Sequence, residues 1–85
     1  MFYVYLLKSL TIDNWVYVGS CDDLRKRFQK HNAGEVVSTK ARKPYRLIYY
    51  EAYRDKTEAR KREIELKKSW SKKQELLKRL ENSLK

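Results

Sequence analysis

The distribution of apolar residues along the chain predicts three β-strands. FYVYLLKS (Phe2–Ser9) is rich in aromatic and β-branched residues, and WVYVGS (Trp15–Ser20) has the same character after the turn residues TIDN. This arrangement favours an antiparallel hairpin. YRLIYYEAY (Tyr45–Tyr53) predicts a third strand.

Between the second and third strands the apolar spacing changes to that of a helix. Asp22 or Asp23 is suited to cap the start of this helix, and Gly34 is suited to follow its end. The residues that helical spacing brings together on its semi-apolar face are Leu24, Arg27, Phe28 and His31.

Two further helices are predicted after the third strand. Asp55 and Glu58 have the spacing of a capping box at the start of the first. Ser71 marks a break before the second, an amphipathic helix with a leucine side formed by Leu76, Leu77, Leu80 and Leu84. The predicted order is therefore β-β-α-β-α-α, an α+β fold with a three-stranded antiparallel sheet and flanking helices. We expect one domain over residues 1–85, closed by a capping helix over about residues 71–84.

The charge balance points to a polyanionic partner. The chain holds 21 Lys and Arg residues against 11 Asp and Glu residues, a formal net charge of +10 on 85 residues. Such an excess on a small domain favours nucleic acid first and an anionic membrane surface second. Two basic runs could contact phosphates or could be solvated faces. The first contains Lys40, Arg42, Lys43 and Arg46, and the second contains Lys67, Lys68, Lys72 and Lys73.

The cysteine content and the hydropathy of the chain indicate the cellular compartment in which the protein is expected. Cys21 is the single cysteine, so it forms no internal disulfide, and we expect a reducing, cytoplasmic environment. The first ten residues, MFYVYLLKSL, lack the basic leader and the cleavage site of a signal peptide. No apolar stretch of the chain is long enough to span a bilayer. We therefore expect no membrane partner.

One carboxylate falls on the side of a helix where apolar residues are expected. At about 100° per residue, Glu63 lies on the same side as Ala59, Leu66 and Trp70 and is predicted to point toward the sheet. A buried carboxylate without a partner is costly. Four explanations stay open at this point: an ion pair with an inward arginine, an escape to solvent at the helix edge, protonation, or the binding of a cation.

Glu63 is one of five polar groups predicted at core positions. Arg27 and His31 lie on the semi-apolar face of the first helix, and Tyr5 and Tyr17 carry hydroxyls that need partners if they point into the covered sheet. Local conflicts of this kind, spread over four elements, are typical of functional sites.

At this point the residues resemble a known family. YVY at Tyr3–Tyr5 and YVG at Tyr17–Gly19 resemble the paired motif of the GIY-YIG nuclease superfamily. The resemblance extends through DLRKRFQKHN, STKARKPYRLIYYEAY and KTEARKREIEL, over about residues 2–70. The chain is similar to the small stand-alone, single-domain branch and to the nuclease domain of the excinuclease C subunit.

The resemblance implies roles for residues of the hairpin. Tyr5 matches the tyrosine of the first motif, Tyr17 matches that of the second, and Gly19 matches the glycine that lets the strand pass close to the site. The Gly-Ile of the first motif is replaced by Tyr3 and Val4, which leaves the motif tyrosine intact.

The resemblance also implies roles for three helical residues. Arg27 matches the catalytic arginine, His31 a position that is His or Tyr in the family, and Glu63 the acidic ligand of a divalent metal, Mg²⁺ or Mn²⁺. Without metal, Arg27 is the expected cation for Glu63. The general base stays open between Tyr5, Tyr17 and His31. No residue of the chain matches the asparagine that some members place late in the domain.

The function implied is metal-dependent endonuclease hydrolysis of DNA phosphodiester bonds, in DNA repair or recombination. The partner is then nucleic acid, in particular DNA, with a protein partner supplying substrate specificity. The alternative is a catalytically silent nucleic-acid-binding module that keeps the nuclease fold. A basic structural protein would explain the charge of the chain but not the five inward polar groups.

Overall fold

The protein folds around a three-stranded antiparallel sheet in which the first strand of the sequence is central. The computed structural model describes all residues, 1–85, and the sheet order is β2-β1-β3. In chain order the elements are β1 (Phe2–Ser9), β2 (Val16–Cys21), α1 (Leu24–Asn32), β3 (Tyr45–Tyr53), α2 (Lys56–Lys68) and α3 (Trp70–Arg79). The α+β class and the order β-β-α-β-α-α predicted from sequence are confirmed.

The two faces of the sheet bury different kinds of side chain. Successive residues of a strand point to opposite faces, so β1 supplies alternate residues to each side. On the face covered by α2 and α3, the buried core consists of Val4, Leu6, Val18, Ala59, Leu66 and Leu76. On the face covered by α1, the buried residues are Tyr5, Leu7 and Tyr45, with Trp15, Tyr17, Leu24 and Phe28 packed against them. The two buried tyrosines, Tyr5 and Tyr45, therefore both lie on the α1 face.

Side-chain caps fix the starts of the first two helices, as predicted. The Asp23 carboxylate accepts from Lys26 N at 3.1 Å, and Gly34 follows the end of α1 with a φ of +77°. The Asp55 carboxylate accepts from Glu58 N at 3.2 Å at the start of α2. None of the helices has the length and apolar character needed to span a membrane.

The boundary between α2 and α3 differs from the prediction. The break lies at Ser69, with a ψ of 102°, and not at Ser71; the Ser69 hydroxyl accepts from Lys72 N at 3.3 Å and starts α3. Because the helix is interrupted at Ser69, helical spacing does not carry over from Leu66 to Trp70. Trp70, expected on the inward side with Leu66, is 76% exposed as the first residue of α3.

An ion pair between Glu51 and Arg62 fastens α2 to the edge strand β3. Arg62 Nε donates to Glu51 Oε1 at 3.0 Å, and Arg62 Nη2 donates to Glu51 Oε2 at 3.0 Å. The hydroxyls of Tyr49 and Tyr53 donate to the same carboxylate. Although burial alone would raise it, the pKa of Glu51 is lowered by Arg62 and the two tyrosine hydroxyls, so the carboxylate is ionised in the folded protein.

We expect Glu51→Gln to lower the free energy of unfolding by about 2 kcal/mol, because Arg62 then loses the more buried of its two carboxylate partners and keeps only Glu65. Urea unfolding followed by circular dichroism measures this change. Glu75→Gln is the control: its partner Arg79 and Glu75 itself are largely exposed, so the expected loss is below about 0.5 kcal/mol. Equal losses for the two variants would contradict the role assigned to Glu51.

Candidate active site

A chain of hydrogen bonds connects the sheet to α1 and to the segment after it. The Tyr5 hydroxyl lies 2.8 Å from His31 Nε2, and His31 Nδ1 lies 2.8 Å from Thr39 Oγ1. All three side chains are buried, and His31 and Thr39 are fully inaccessible. The aromatic ring of Tyr17 packs on the imidazole with a centroid distance of 5.1 Å.

The direction of these hydrogen bonds fixes the tautomer of His31. The Thr39 hydroxyl donates to Val36 O at 3.3 Å, so its oxygen is free to accept. His31 Nδ1 therefore carries the proton and donates to Thr39, which leaves Nε2 to accept the proton of the Tyr5 hydroxyl. His31 is thus oriented as a proton acceptor for Tyr5.

Burial and a nearby positive charge keep His31 neutral. Burial lowers the pKa of His31 to about 4, and the Arg27 guanidinium contributes in the same direction. Burial also raises the pKa of Tyr5, with the Arg27 guanidinium acting against that increase. In the resting protein Tyr5 is therefore a neutral phenol that donates to a neutral imidazole.

Arg27 lies at the mouth of this cluster. Its guanidinium is close enough to the Tyr5 oxygen to affect the pKa of the phenol, while Arg27 Nε is buried without a hydrogen-bond partner. An open cleft beside it is lined by Ser20, Cys21, Asp22, Asp23, Lys26, Arg27 and Lys30. Burial raises the pKa of the Cys21 thiol to about 11, so Cys21 is not a nucleophile at neutral pH.

Gly19 allows Tyr5 to occupy its position. Tyr5 and Gly19 are directly opposite each other in the β1–β2 pairing. A Cβ on Gly19 would lie 2.5 Å from both the Cζ and the hydroxyl oxygen of Tyr5, and 2.9 Å from Cε2 of Tyr17. The phenol thus occupies the space that any side chain at position 19 would need.

Glu63 lies on the other face of the sheet, against the same strand β2. Its Oε1 accepts from the Ser20 hydroxyl, and its Oε2 accepts from Lys67 Nζ at 2.7 Å. Arg60 Nη1 lies 3.5 Å from Oε1. The inward position predicted for Glu63 is confirmed, since the residue is 8% exposed. The cation expected for it was Arg27, and this prediction is wrong: the ion pairs come from Lys67 and Arg60, one helical turn away on α2.

Lys67 bridges the two parts of the site. Its ammonium group lies 5.5 Å from the centroid of the Tyr17 ring while it pairs with Glu63. Although burial alone would raise it, the pKa of Glu63 is lowered by Lys67 and the Ser20 hydroxyl, so the carboxylate is ionised. A carboxylate, an arginine and a phenol paired with an imidazole are thus arranged around β2.

The model of the GIY-YIG catalytic domain matches residues 1–84, almost the whole chain. The protein belongs to the GIY-YIG family. This is a family of nucleases that generally depend on a divalent metal.

Relatives of this GIY-YIG protein occur in Staphylococcus aureus. UPF0213 proteins from strains Mu3, Mu50 and N315 are each 42% identical to it over 66 residues, which are 76% of this chain and 78% of theirs. No solved structure matches the chain.

The side chains of the candidate site offer few ligands for a divalent metal ion of the kind that GIY-YIG nucleases use. No three His, Cys, Asp or Glu side chains converge, so the protein has no all-protein metal cage. Mg²⁺ is commonly held by one or two carboxylates, with waters and substrate phosphates completing its shell. Glu63 fits that requirement because it is ionised and its competitor Lys67 is half exposed and able to move.

The predicted basic residues of the loop before β3 and of the start of β3 each have different immediate neighbours. Lys40 and Lys43 lie against Gly34 at the end of α1. Arg42 lies over the Trp15 ring, 4.8 Å from its centroid. Arg46 Nη2 donates to Ser83 O at 2.7 Å, near the C-terminus.

Sequence reasoning missed two residues of the site, Thr39 and Ser20, and did not assign Lys67 to Glu63. Thr39 and Ser20 are joined to His31 and Glu63 by contacts across 8 and 43 residues, for which no local pattern exists. For Lys67 a signal was present, because Glu63 and Lys67 have the i, i+4 spacing of a helical ion pair.

We expect the imidazole of His31 to titrate with a pKa of about 4 and to carry its proton on Nδ1 above that pH. The unfolded chain binds this proton below about pH 6.5, whereas the folded protein does so only below about 4, so stability should fall as the pH drops through this window, by up to about 3 kcal/mol. Nitrogen-15 NMR observes both properties without assignment work, since His31 is the only histidine. A proton on Nε2, or a pKa near 6.5, would disprove this hydrogen-bond chain.

We expect Gly19→Ala to displace the Tyr5 ring and to cost about 2 kcal/mol of stability, because the added methyl group overlaps the phenol. The His31 nitrogen signals should change with it. Gly34→Ala serves as the comparison: it strains a residue with φ +77° but leaves the His31 signals in place. Unaltered His31 signals in the Gly19 variant would be inconsistent with this packing.

Proposed function

We propose that the protein is a divalent-metal-dependent endonuclease that hydrolyses DNA phosphodiester bonds, with a role in DNA repair or recombination. The observation that carries this proposal is the Tyr5 phenol held between neutral His31 and the guanidinium of Arg27, a residue that lines an open cleft. Family membership supports the nuclease class, and the net charge of +10 supports a nucleic acid substrate.

The hydrogen-bond geometry supports Tyr5 as the residue that takes the proton of the attacking water. As the Tyr5 oxygen accepts that proton, its own phenolic proton passes to His31 Nε2, 2.8 Å away. Tyr5 is then unchanged in charge, and His31 becomes the imidazolium. The hydroxide adds to phosphorus as the P–O bond to the leaving sugar oxygen breaks, and that oxygen takes a proton from solvent water. Thr39 holds the imidazole in orientation through Nδ1 during this transfer.

Arg27 is suited to bind the scissile phosphate. A guanidinium offers paired donors to a non-bridging oxygen, and Arg27 lies next to both Tyr5 and the cleft. An anionic phosphate beside Arg27 also offsets the positive charge that lowers the pKa of His31, which makes the proton transfer to His31 easier.

Glu63 is the residue that would hold the metal, Mg²⁺ or Mn²⁺. When bound, such an ion supplies positive charge to the phosphate and to the leaving oxygen. Lys67 must leave the Glu63 carboxylate first, and its position 5.5 Å from the Tyr17 ring keeps its charge near the site. The proposal also includes a protein partner that supplies substrate specificity. It places the protein in the cytoplasm, a location that suits the free thiol of Cys21.

A nucleic-acid-binding module without catalysis is the second candidate. The observation in its favour is that both oxygens of Glu63 already have partners, as in a purely structural ion pair. The nuclease is expected to cleave DNA when a divalent metal is present, whereas the binding module is expected to leave it intact.

We expect labelled duplex or branched DNA to be cleaved with Mg²⁺ or Mn²⁺ and to stay intact with EDTA. Glu63→Gln should lower the rate at least about 100-fold by removing the anionic metal ligand. Tyr5→Phe should lower it about 100- to 10,000-fold by removing the proton relay. Glu65→Gln, a carboxylate two residues along α2 that pairs with Arg62, should cleave at the wild-type rate.

Thermal unfolding of the same variants separates catalysis from folding. DNA binding by a folded wild-type protein with no cleavage under any metal would leave the binding module as the function. Cleavage that survives Glu63→Gln would remove the metal role of Glu63.

A further inference from the structure

The corner between α2 and α3 presents a tryptophan to solvent among lysine residues. Trp70 is 76% exposed, an unusual position for so large an apolar side chain. Lys67 and Lys68 precede it and Lys72 and Lys73 follow it, and no acidic residue lies within this stretch of seven. We call residues 67–73 the Trp70 corner.

The Trp70 corner lies against β2, the strand that carries Tyr17 and Ser20 of the candidate active site. Lys73 Nζ donates to Val16 O at 3.4 Å, and Lys67 Nζ lies over the ring of Tyr17. Lys73 is one helical turn from Trp70, so the indole lies on the same side of α3 as the lysine that contacts the start of β2.

The charged groups follow β2 in order. Lys73 lies at Val16, Lys67 at Tyr17 and Glu63 at Ser20. At about 3.3 Å per residue, Val16 and Ser20 are about 13 Å apart along the strand. β2 pairs with β1 alone, so its outer edge has no strand beside it.

We propose that the Trp70 corner binds a single-stranded segment of the nucleic acid substrate, with Trp70 stacked on an unpaired base and the lysines on the adjacent phosphates. This inference rests on the proposed function and specifies its substrate class. Val16 and Ser20 are separated by a length that a few nucleotides of a single strand can span, so the stacked base lies a few nucleotides from the scissile phosphate near Glu63.

The exposed indole and the lysines of the Trp70 corner both favour a single strand of nucleic acid as its ligand. An indole stacks on the face of a base only where that face is not covered by the next base pair, so duplex DNA offers it no partner except at an end. Of the four lysines only Lys67 is paired with a carboxylate, that of Glu63, so the corner keeps an excess of positive charge that suits a chain of phosphates and opposes a second copy of this basic protein. One exposed indole is also a small apolar contact for a protein partner.

The test measures binding, in EDTA, of fluorescein-labelled oligonucleotides to the whole protein by fluorescence anisotropy. Trp70→Ala should weaken binding of single-stranded DNA about tenfold and leave duplex binding within about twofold, since base stacking is lost only in the first. Trp70→Phe keeps an aromatic ring and should lose less than about threefold. Duplexes with an unpaired end of a few nucleotides should bind more tightly than blunt duplexes, and Trp70→Ala should remove this gain.

Tyr50→Leu is the matched control, because Tyr50 is another exposed aromatic residue, 54% accessible, on the opposite edge strand β3. It should bind single-stranded DNA as the wild type does. An equal loss in the Tyr50 variant, or wild-type binding in Trp70→Ala, would overturn the assignment of stacking to Trp70.

Three further measurements distinguish the remaining outcomes. Wild-type protein that binds no nucleic acid overturns the proposed function itself, whereas equal Trp70-independent binding of single-stranded and duplex DNA overturns only this inference. Trp70-dependent self-association in sedimentation, or Trp70-dependent binding to anionic phospholipid vesicles without single-strand binding, would assign the corner to a second copy or to a membrane surface and would also overturn it.

Discussion

The arrangement of the whole α1 side of this protein depends on the hydrogen bond between Tyr5 and His31. Tyr5 is in the central strand and His31 is in α1, and neither side chain has access to enough water to satisfy its polar atoms. An unsatisfied buried group costs about 1–3 kcal/mol, so this bond strongly favours one position of α1 on the sheet. Thr39 extends the constraint to the segment before β3, where its carbonyl accepts from the Tyr45 hydroxyl at 2.7 Å.

The hydrogen bond between Tyr5 and His31 contributes both to the stability of the fold and to the proposed chemistry. A neutral imidazole that must accept from Tyr5 is needed to bury the pair, and it is also what a phenol needs in order to pass on a proton. Gly19 contributes to both, because the phenol reaches His31 only across a position without a side chain. For this reason substitutions at Tyr5 or Gly19 are expected to change the stability of the site as well as its reactivity.

Local signals in the sequence predicted most of the fold. The aromatic alternation of β1 and β3, the aspartate caps and Gly34 each depend on a few neighbouring residues, and the structure has them at the predicted positions. Trp70 was placed wrongly because periodicity assumes an unbroken helix, and one serine capping α3 interrupts it. The inward position of Glu63 followed from spacing, whereas its contact with Ser20 depends on how α2 lies on β2.

Lys73, Lys67 and Glu63 all lie against β2, whose outer edge pairs with no other strand. An unpaired strand edge invites association with other chains, and proteins commonly protect such edges with lysine. Here Lys73 donates to a β2 carbonyl, and Lys67 reaches over Tyr17 from the opposite side of the sheet. Under the proposed function, the positive charge that these side chains place along an edge with no competing strand favours this edge as a path for a phosphate chain between α1 and α2. Glu63 lies on that path as an anion, and because Lys67 already neutralises it, a phosphate can approach more easily than it could approach a bare carboxylate.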